Sequence, residues 1–558
     1  MDNEGKGGWT MKYDVCIIGA GLAGLVAACE LIDAGKKVCL LDQEHLNSLG
    51  GQAFWSFGGL FLVDTPEQRR LGVKDSQDLA WQDWLGTAGY DRLEDEDYWG
   101  YQWAKAYVEF AAGEKYSWLK SKGIKFFPVV GWAERGGSSA GGHGNSVPRF
   151  HITWGTGPGL VEPFANKVLD AMSTGRIDIL TRHKVKELLV ENGAVVGATG
   201  VLLEQQDIER GRNSSRVEVG EFTIHADAIV VATGGIGANL ELVRANWPHS
   251  LGQPPKTMVS GVPAYVDGSG LLFSEQVGAR VVNRDRMWHY TEGLKNWNPV
   301  WSNHGIRILP GPSSMWFDAE GNRFTAPNFP GFDTLSTLQA IGQTGYDYSW
   351  FILTEKIIEK EFALSGSEQN LDITNKSIKD VLKRIAPGPP PAVQAFKNYG
   401  EDFVIANSLK DLVDGMNGLA GNDLIDFMHI KEQILARDRE MDNKFTKDAQ
   451  IMAIHSARNY IGDKIVRVAK PHKILDPNAG PLIAVRLNIL TRKTLGGLQT
   501  NLQGQVLNEA GDIVRGLFAA GEVSGFGGGG IHGYRSLEGT FVGNCLFTGL
   551  QVGKYLSK

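Results

Sequence analysis

The chain is predicted to be α/β: a Rossmann-like dinucleotide-binding domain with a capping, substrate-facing α+β domain inserted into it. Three observations predict this. Residues 13–42 form a complete strand, glycine-rich turn, helix and second strand. Glycine-rich tracts return far downstream, at 230–235 and 516–523. From Asp285 to Thr494 the chain becomes richer in Trp, Asn and Pro, with Pro387-Gly388-Pro389-Pro390-Pro391 as a rigid break, before the earlier pattern resumes after Gly496-Gly497. The expected division is 1–284 and 495–558 for the dinucleotide-binding domain and 285–494 for the cap.

The opening unit is the most informative. Tyr13–Ile18 is an apolar run of strand type. Gly19-Ala20-Gly21-Leu22-Ala23-Gly24 follows and leads into a helix pattern that ends before Gly35. Val38–Leu41 reads as the second strand and is closed by Asp42 and Gln43. In this context Gly19 permits a tight turn. Gly21 lets the backbone approach a pyrophosphate at the helix N-terminus, and Gly24 lets helix pack on strand. Asp42 is placed to accept hydrogen bonds from a ribose.

Composition excludes other classes. With 56 Lys+Arg against 63 Asp+Glu the formal charge is −7, which argues against nucleic acid as a partner. Glycine is 71 of 558 residues, well above the usual ~7%, which suits backbone held close to a ligand. Cys16, Cys29, Cys39 and Cys545 have no metal-ligand or haem spacing, so no metal is expected. No apolar signal core and no run of 18 apolar residues is present, so the expectation is a cytoplasmic protein without a transmembrane segment.

Further elements follow in order. Leu49-Gly50-Gly51-Gln52-Ala53-Phe54-Trp55-Ser56-Phe57-Gly58-Gly59 is a double-glycine tract. A helix is expected from about Thr156 to Ser173, then strands at Ile177–Leu180, Val185–Val190, Val195–Leu203 and Glu221–His225, with a polar loop at Glu209–Ser215. Val230-Val231-Ala232-Thr233-Gly234-Gly235 ends a strand in a tight turn. Asp267-Gly268-Ser269-Gly270 begins a helix, and Arg135–Gly142 and Gly527–Gly530 read as flexible loops.

The double-glycine tract, Ala232-Thr233-Gly234-Gly235 and Ala520-Gly521-Glu522, in this order after the opening unit, resemble the flavoprotein superfamily of fumarate reductases, succinate dehydrogenase flavoproteins and 3-ketosteroid dehydrogenases. The resemblance covers about half the chain. It implies FAD as cofactor and an FAD-dependent dehydrogenase or reductase acting on a carbon–carbon bond next to a carbonyl. Gly50, Gly51, Gly58 and Gly59 would lie along the diphosphate and isoalloxazine, Glu522 would bond the ribityl chain, and Gln52, Ser56, Ala232, Thr233, Gly234, Gly521, Ser536 and Leu537 would complete the FAD set. Gln52 stands where succinate dehydrogenases carry their histidine linker, which implies non-covalent FAD.

The same comparison frames the chemistry. Hydride transfer to flavin N5 needs a base for the α proton and an electrophile for the developing enolate. The fumarate reductase proton-donating arginine would fall in Thr325–Asp333, where no arginine stands. The tyrosine of ketosteroid dehydrogenases, six residues before a threonine, is matched by Tyr534 and Thr540, so Tyr534 is expected to hold a ketone. Their second tyrosine is replaced by Gly331 or Phe332. His532, Arg535 and Lys493 complete the candidate catalytic set, and His289 and His151 are weaker candidates. The expected partners are a small apolar or carbonyl-containing substrate and an electron partner that stays unknown. Alternatives left open are an oxidase of acids or amines, a dicarboxylate reductase, and a flavin redox sensor without turnover.

Overall fold

The computed structural model describes residues 12–132, 142 and 144–558. Of the tract Arg135–Gly142, only Gly142 lies within the described residues. Two eight-stranded sheets organise the chain.

The first sheet begins with β1 (Lys12–Ile18), α1 (Leu22–Asp33) and β2 (Val38–Asp42). Its spatial order runs Gln505–Leu507, Ile513–Ala519, Glu218–Val231, β1, β2, Ile177–Thr181. Along this order pairing is parallel except at the outer strand Gln505–Leu507, and the remaining two strands, His183–Glu191 and Ala194–Leu203, join antiparallel beside Glu218–Val231. Apolar β1 and β2 are buried on both faces, as a covered parallel sheet requires. The expected strand at Glu221–His225 is part of one fourteen-residue strand, Glu218–Val231. Its first half pairs with the hairpin strand Ala194–Leu203 and its second half with β1, so one strand serves two neighbours in succession.

The C-terminal helix Phe541–Leu556 lies against α1. Its Gly549 and Gly553 make the close approach possible: a Cβ on Gly549 would stand 2.4 Å from the Ala23 carbonyl oxygen, and one on Gly553 2.7 Å from Glu30 Cβ. The last segment of the chain is thereby locked to the first.

The second sheet centres on the strand Leu482–Thr494. Tyr348–Thr354 and Met287–Lys295 pair with it antiparallel, and Gly305–Pro310 extends the sheet. Its core is Ile352, Leu353, Ile483, Val485 and Trp316, covered by Leu412, Ile430 and Ile434 from helices. The short strand Val259–Ser260 also joins this sheet, ahead of residue 285.

The tract Gly527–Gly530 is buried, not a flexible loop. A Cβ on Gly528 would meet Trp103 at 2.6 Å and one on Gly530 would meet Asn283 at 2.6 Å, so the turn is packed on both sides.

Candidate active site

A cleft of about 850 Å³ opens at the C-terminal ends of β1 and β2, where ligands bind in sheets of this kind. It is lined by Gly19, Gly21, Leu22, Ala23, Asp42, Gln43, Gly50, Gly51, Gln52, Ala232, Thr233, Gly234, Gly521 and Glu522. Most of the predicted cofactor set is therefore brought together.

The three glycines of the first turn do different work. A Cβ on Gly19 (φ +108°) would stand 2.5 Å from the Ala232 carbonyl oxygen, and one on Gly24 would stand 2.1 Å from the Gly19 carbonyl oxygen. Both are dictated by packing. A Cβ on Gly21 would meet only one protein atom, at 3.8 Å, so its open space faces the cleft. No side chain caps α1 at this end and its first turn holds no acid, which leaves N–H donors for a phosphate. Gln52 Oε1 and Thr233 Oγ1 are buried without partners. A bare-backbone approach, uncapped donors and orphaned polar atoms in one groove fit a dinucleotide such as FAD.

Asp42 departs from its expected role. Its Oδ2 accepts the Ala20 N–H and its Oδ1 the Glu44 N–H, both at 2.7 Å, so it holds the turn. Burial pushes its carboxyl up. Gln43 donates to the Tyr265 carbonyl at 3.2 Å. Glu522 is occupied likewise: it accepts from the Gln52 amide and, at 2.8 Å, from the Thr494 N–H. Burial raises its carboxyl too, opposed by nearby Lys493.

Gly58 and Gly59 are set by protein contacts. Their Cβ atoms would collide with Thr156 and Phe150, at 2.5 and 1.9 Å. With Ser56 they line a second cleft of about 520 Å³. One wall is apolar: Phe57, Phe150, Leu309, Phe541 and Val542. The other carries Tyr290, Arg307, Arg492, Lys493 and Glu538.

Arg492 and Lys493 are consecutive on one strand, and consecutive strand residues ordinarily face opposite ways. Two bulges interrupt the alternation in this stretch. Trp288 pairs with Lys493 and Tyr290 with Leu490, so His289 alone spans the interval that Thr491 and Arg492 span. The next interval reverses the count, with Thr291 and Glu292 opposite Ile489. Both cations line the one cleft beside this locally disrupted ladder.

The cations differ in state. Arg307 is held by Glu538 at 2.5 Å and lies 3.8 Å over the Tyr290 ring. Lys493 is buried, and its ammonium lies 5.3 Å from the Phe541 ring centroid with no carboxylate at ion-pair distance among the described residues. Burial, then the neighbouring Arg492, push it down to about 8. It stays in the field of Glu522 of the first cleft, so the two clefts adjoin at this residue.

The other predicted catalytic residues are not brought here. Tyr534 is half-buried elsewhere; its hydroxyl donates to Asp91 at 2.9 Å and its ring lies 4.0 Å under the Arg286 guanidinium. Its task is to join an ion cluster of Asp91, Arg92, Asp97 and Arg286. His532 is fully buried and stacked on Trp84 at 5.5 Å, and burial pushes it down to about 3, so it is a neutral core residue. Arg535 faces Asp333 at 3.6 Å. With Ser536 and Leu537 it lines a small pocket that shares Glu538 with the second cleft. His289 is stacked on Trp247 and His151 is bonded to Thr65 and the Arg149 carbonyl; burial lowers both. Sequence reasoning missed Arg492, Arg307, Tyr290 and Glu538. Nothing in residue spacing signals the bulges. Among the described residues no metal-binding cluster occurs, and no helix is long and apolar enough to cross a membrane.

A dinucleotide cleft opening on a cationic and aromatic cleft defines a cofactor-dependent oxidoreductase. Known proteins make the class specific. The chain belongs to the FAD binding domain family, whose model matches residues 14–542. A KsdD-like steroid dehydrogenase of Mycolicibacterium smegmatis is 60% identical over 529 residues, covering 95% of this chain and 96% of that protein. The solved 3-ketosteroid Δ1-dehydrogenase of Sterolibacterium denitrificans shares the fold with a TM-score of 0.68 at 14% identity, covering 98% of this chain and 99% of that one. So does the open conformation of a flavocytochrome c3 fumarate reductase, with a TM-score of 0.63 at 21% identity over 98% of this chain and 78% of that one. The protein is an FAD-dependent dehydrogenase, as the glycine-rich motifs led us to expect.

Proposed function

We propose that this chain dehydrogenates a cyclic ketone of the steroid class at a carbon–carbon bond beside the carbonyl, with FAD held non-covalently. The observation that carries this reading is the place of the buried Lys493 in a cleft lined by aromatic side chains, next to the cofactor groove. The similarity to KsdD-like steroid dehydrogenase supports the substrate class. Gln52, an amide, supports non-covalent attachment.

Bound FAD supplies the hydride acceptor. Lys493 holds the ketone oxygen with a charged N–H, which acidifies the α C–H. The α proton passes to Glu538, the one carboxylate of this cleft's lining, and as it leaves negative charge grows on the ketone oxygen, which the buried ammonium stabilises in a medium of low dielectric. Phe57, Phe150, Leu309, Phe541 and Val542 take the ring system and keep water out. Arg307 is neutralised by Glu538 and positions Tyr290 rather than the ketone.

The test is an anaerobic spectral titration of the FAD-loaded protein with saturated 3-ketosteroids and simpler cyclic ketones. Bleaching of the oxidised-flavin band by a ketone, lost in Lys493→Met with flavin retained, is the expected result. A spectrum unmoved by every ketone refutes the reading.

A further inference from the structure

Lys493 accounts for one cation of the second cleft and Glu538 neutralises another, Arg307. Arg492 is left over. Its Nε is buried without a partner, and its only hydrogen bond among the described residues is a long one, 3.5 Å, from Nη1 to Ser365 Oγ. No carboxylate of the described residues lies within 4.0 Å of it.

The groups that feel Arg492 do not compensate it. They are Lys493, His304, Glu368 and Glu522. Lys493 is a cation. His304 is stacked on Trp301 at 3.6 Å, and burial pushes it down to about 3, so it is neutral. Glu522 is committed to Gln52 and Thr494. Glu368 lines a different groove, beside Trp297 and Arg384, and burial pushes it up to about 7, so near neutral pH it carries only part of a charge.

The Arg492 side chain is part-buried with its Nε fully enclosed, and a charge so desolvated without an anion costs stability unless a ligand completes it. A planar fork with a free Nε matches a carboxylate in two-point contact. We propose that Arg492 binds a carboxylate of the substrate, so that the physiological substrate is a cyclic keto acid rather than a neutral steroid. Arg492 and Lys493 are adjacent residues whose Cα atoms stand about 3.8 Å apart. Both side chains line the same cleft, so the carboxylate and the ketone belong to one small substrate, and a carboxylate on a short arm from a ring carbon near the carbonyl is the arrangement to test. This inference rests on the ketone reading above and narrows it.

The experiment compares a cyclic ketone bearing a propanoate arm on its α carbon with the methyl ester of the same compound, using FAD-loaded wild-type protein under anaerobic conditions. The acid is expected to bleach the flavin with kcat/KM about 10- to 100-fold above the ester, the range for a hydrogen bond between charged groups. In Arg492→Gln that ratio falls to about one, and Arg492→Lys, which keeps the charge but loses the fork, restores part of it. The wild-type comparison needs no variant, so a variant that fails to fold leaves the test intact. An ester as good as the acid overturns the carboxylate site and keeps the ketone reading. If acid, ester and neutral steroids all leave the flavin oxidised, the ketone reading falls and takes this inference with it.

Discussion

Replacing Lys493 by methionine should leave the protein more stable and almost inactive. The two side chains are close in length and volume, so the substitution removes a charge and little else. Burial and Arg492 bring the ammonium from 10.5 to about 8. Keeping it charged in the fold then costs about 3 kcal/mol at pH 7. Below about pH 8 the folded and unfolded chains both hold the proton, and the cost is felt in full. Between about 8 and 10.5 the folded chain has released it and the unfolded chain has not, so the cost shrinks as pH rises. Above 10.5 both are neutral and the cost is gone. The methionine variant should thus gain up to about 3 kcal/mol at pH 7, equal to roughly 2–3 °C in Tm if a chain of this size unfolds as one unit. Most of the gain should vanish by pH 10. Urea denaturation of the FAD-loaded protein at the two pH values, followed by tryptophan fluorescence, measures it. Turnover of the ketone, assayed in parallel, should fall by about 100-fold or more. A variant no more stable than wild type at pH 7, or one whose gain is the same at pH 10, refutes the account of a desolvated, unpaired ammonium.

Four further outcomes are expected. The kcat/KM for ketone should fall as pH rises through about 8, where Lys493 loses its proton; Lys493→Arg should remove that limb, as a pH profile of both proteins would show. Tyr534→Phe should change turnover by less than about threefold, because the lost hydroxyl bonds Asp91 and not the cleft, and an exposed contact of this kind contributes little. Gly21→Ala should fold but bind less FAD, read as the flavin-to-protein absorbance ratio. Gly24→Ala should instead lower stability by about 1–3 kcal/mol, because its Cβ would lie 2.1 Å from a carbonyl oxygen.

Much of the cofactor cleft was legible in the sequence. Gly19, Gly21, Gly24 and the acid after β2 form a local unit whose spacing reflects turn, helix and strand geometry, so no distant contact is needed to read it. Even there, the task of Asp42 was not legible: the spacing fits a ribose ligand, and only the fold shows both oxygens taken by backbone N–H groups. The substrate side was mostly hidden. Motif alignment points at Tyr534, but the chain directs that side chain to Asp91 and Arg286. His532 looks like a loop residue next to four glycines, yet the glycines pack so tightly that the histidine is driven into the core against Trp84. Arg307, Arg492 and Glu538 come from three distant segments, and their meeting depends on strand order, which composition does not encode.

The two bulges between these strands have one more consequence. Shortening the strand Leu482–Thr494 by a single residue at Thr491 would remove one bulge and leave its opposite, Thr291 and Glu292 against Ile489, uncompensated, so the two ends of the ladder could no longer keep their common register. One end of the strand would slip by a residue against Met287–Lys295, which moves its side chains to the other face. The chemistry of this cleft is therefore stored in the number of residues between two paired positions, as well as in their kinds. A relative that kept both cations but lost that one-residue mismatch would keep the letters of the site without its function.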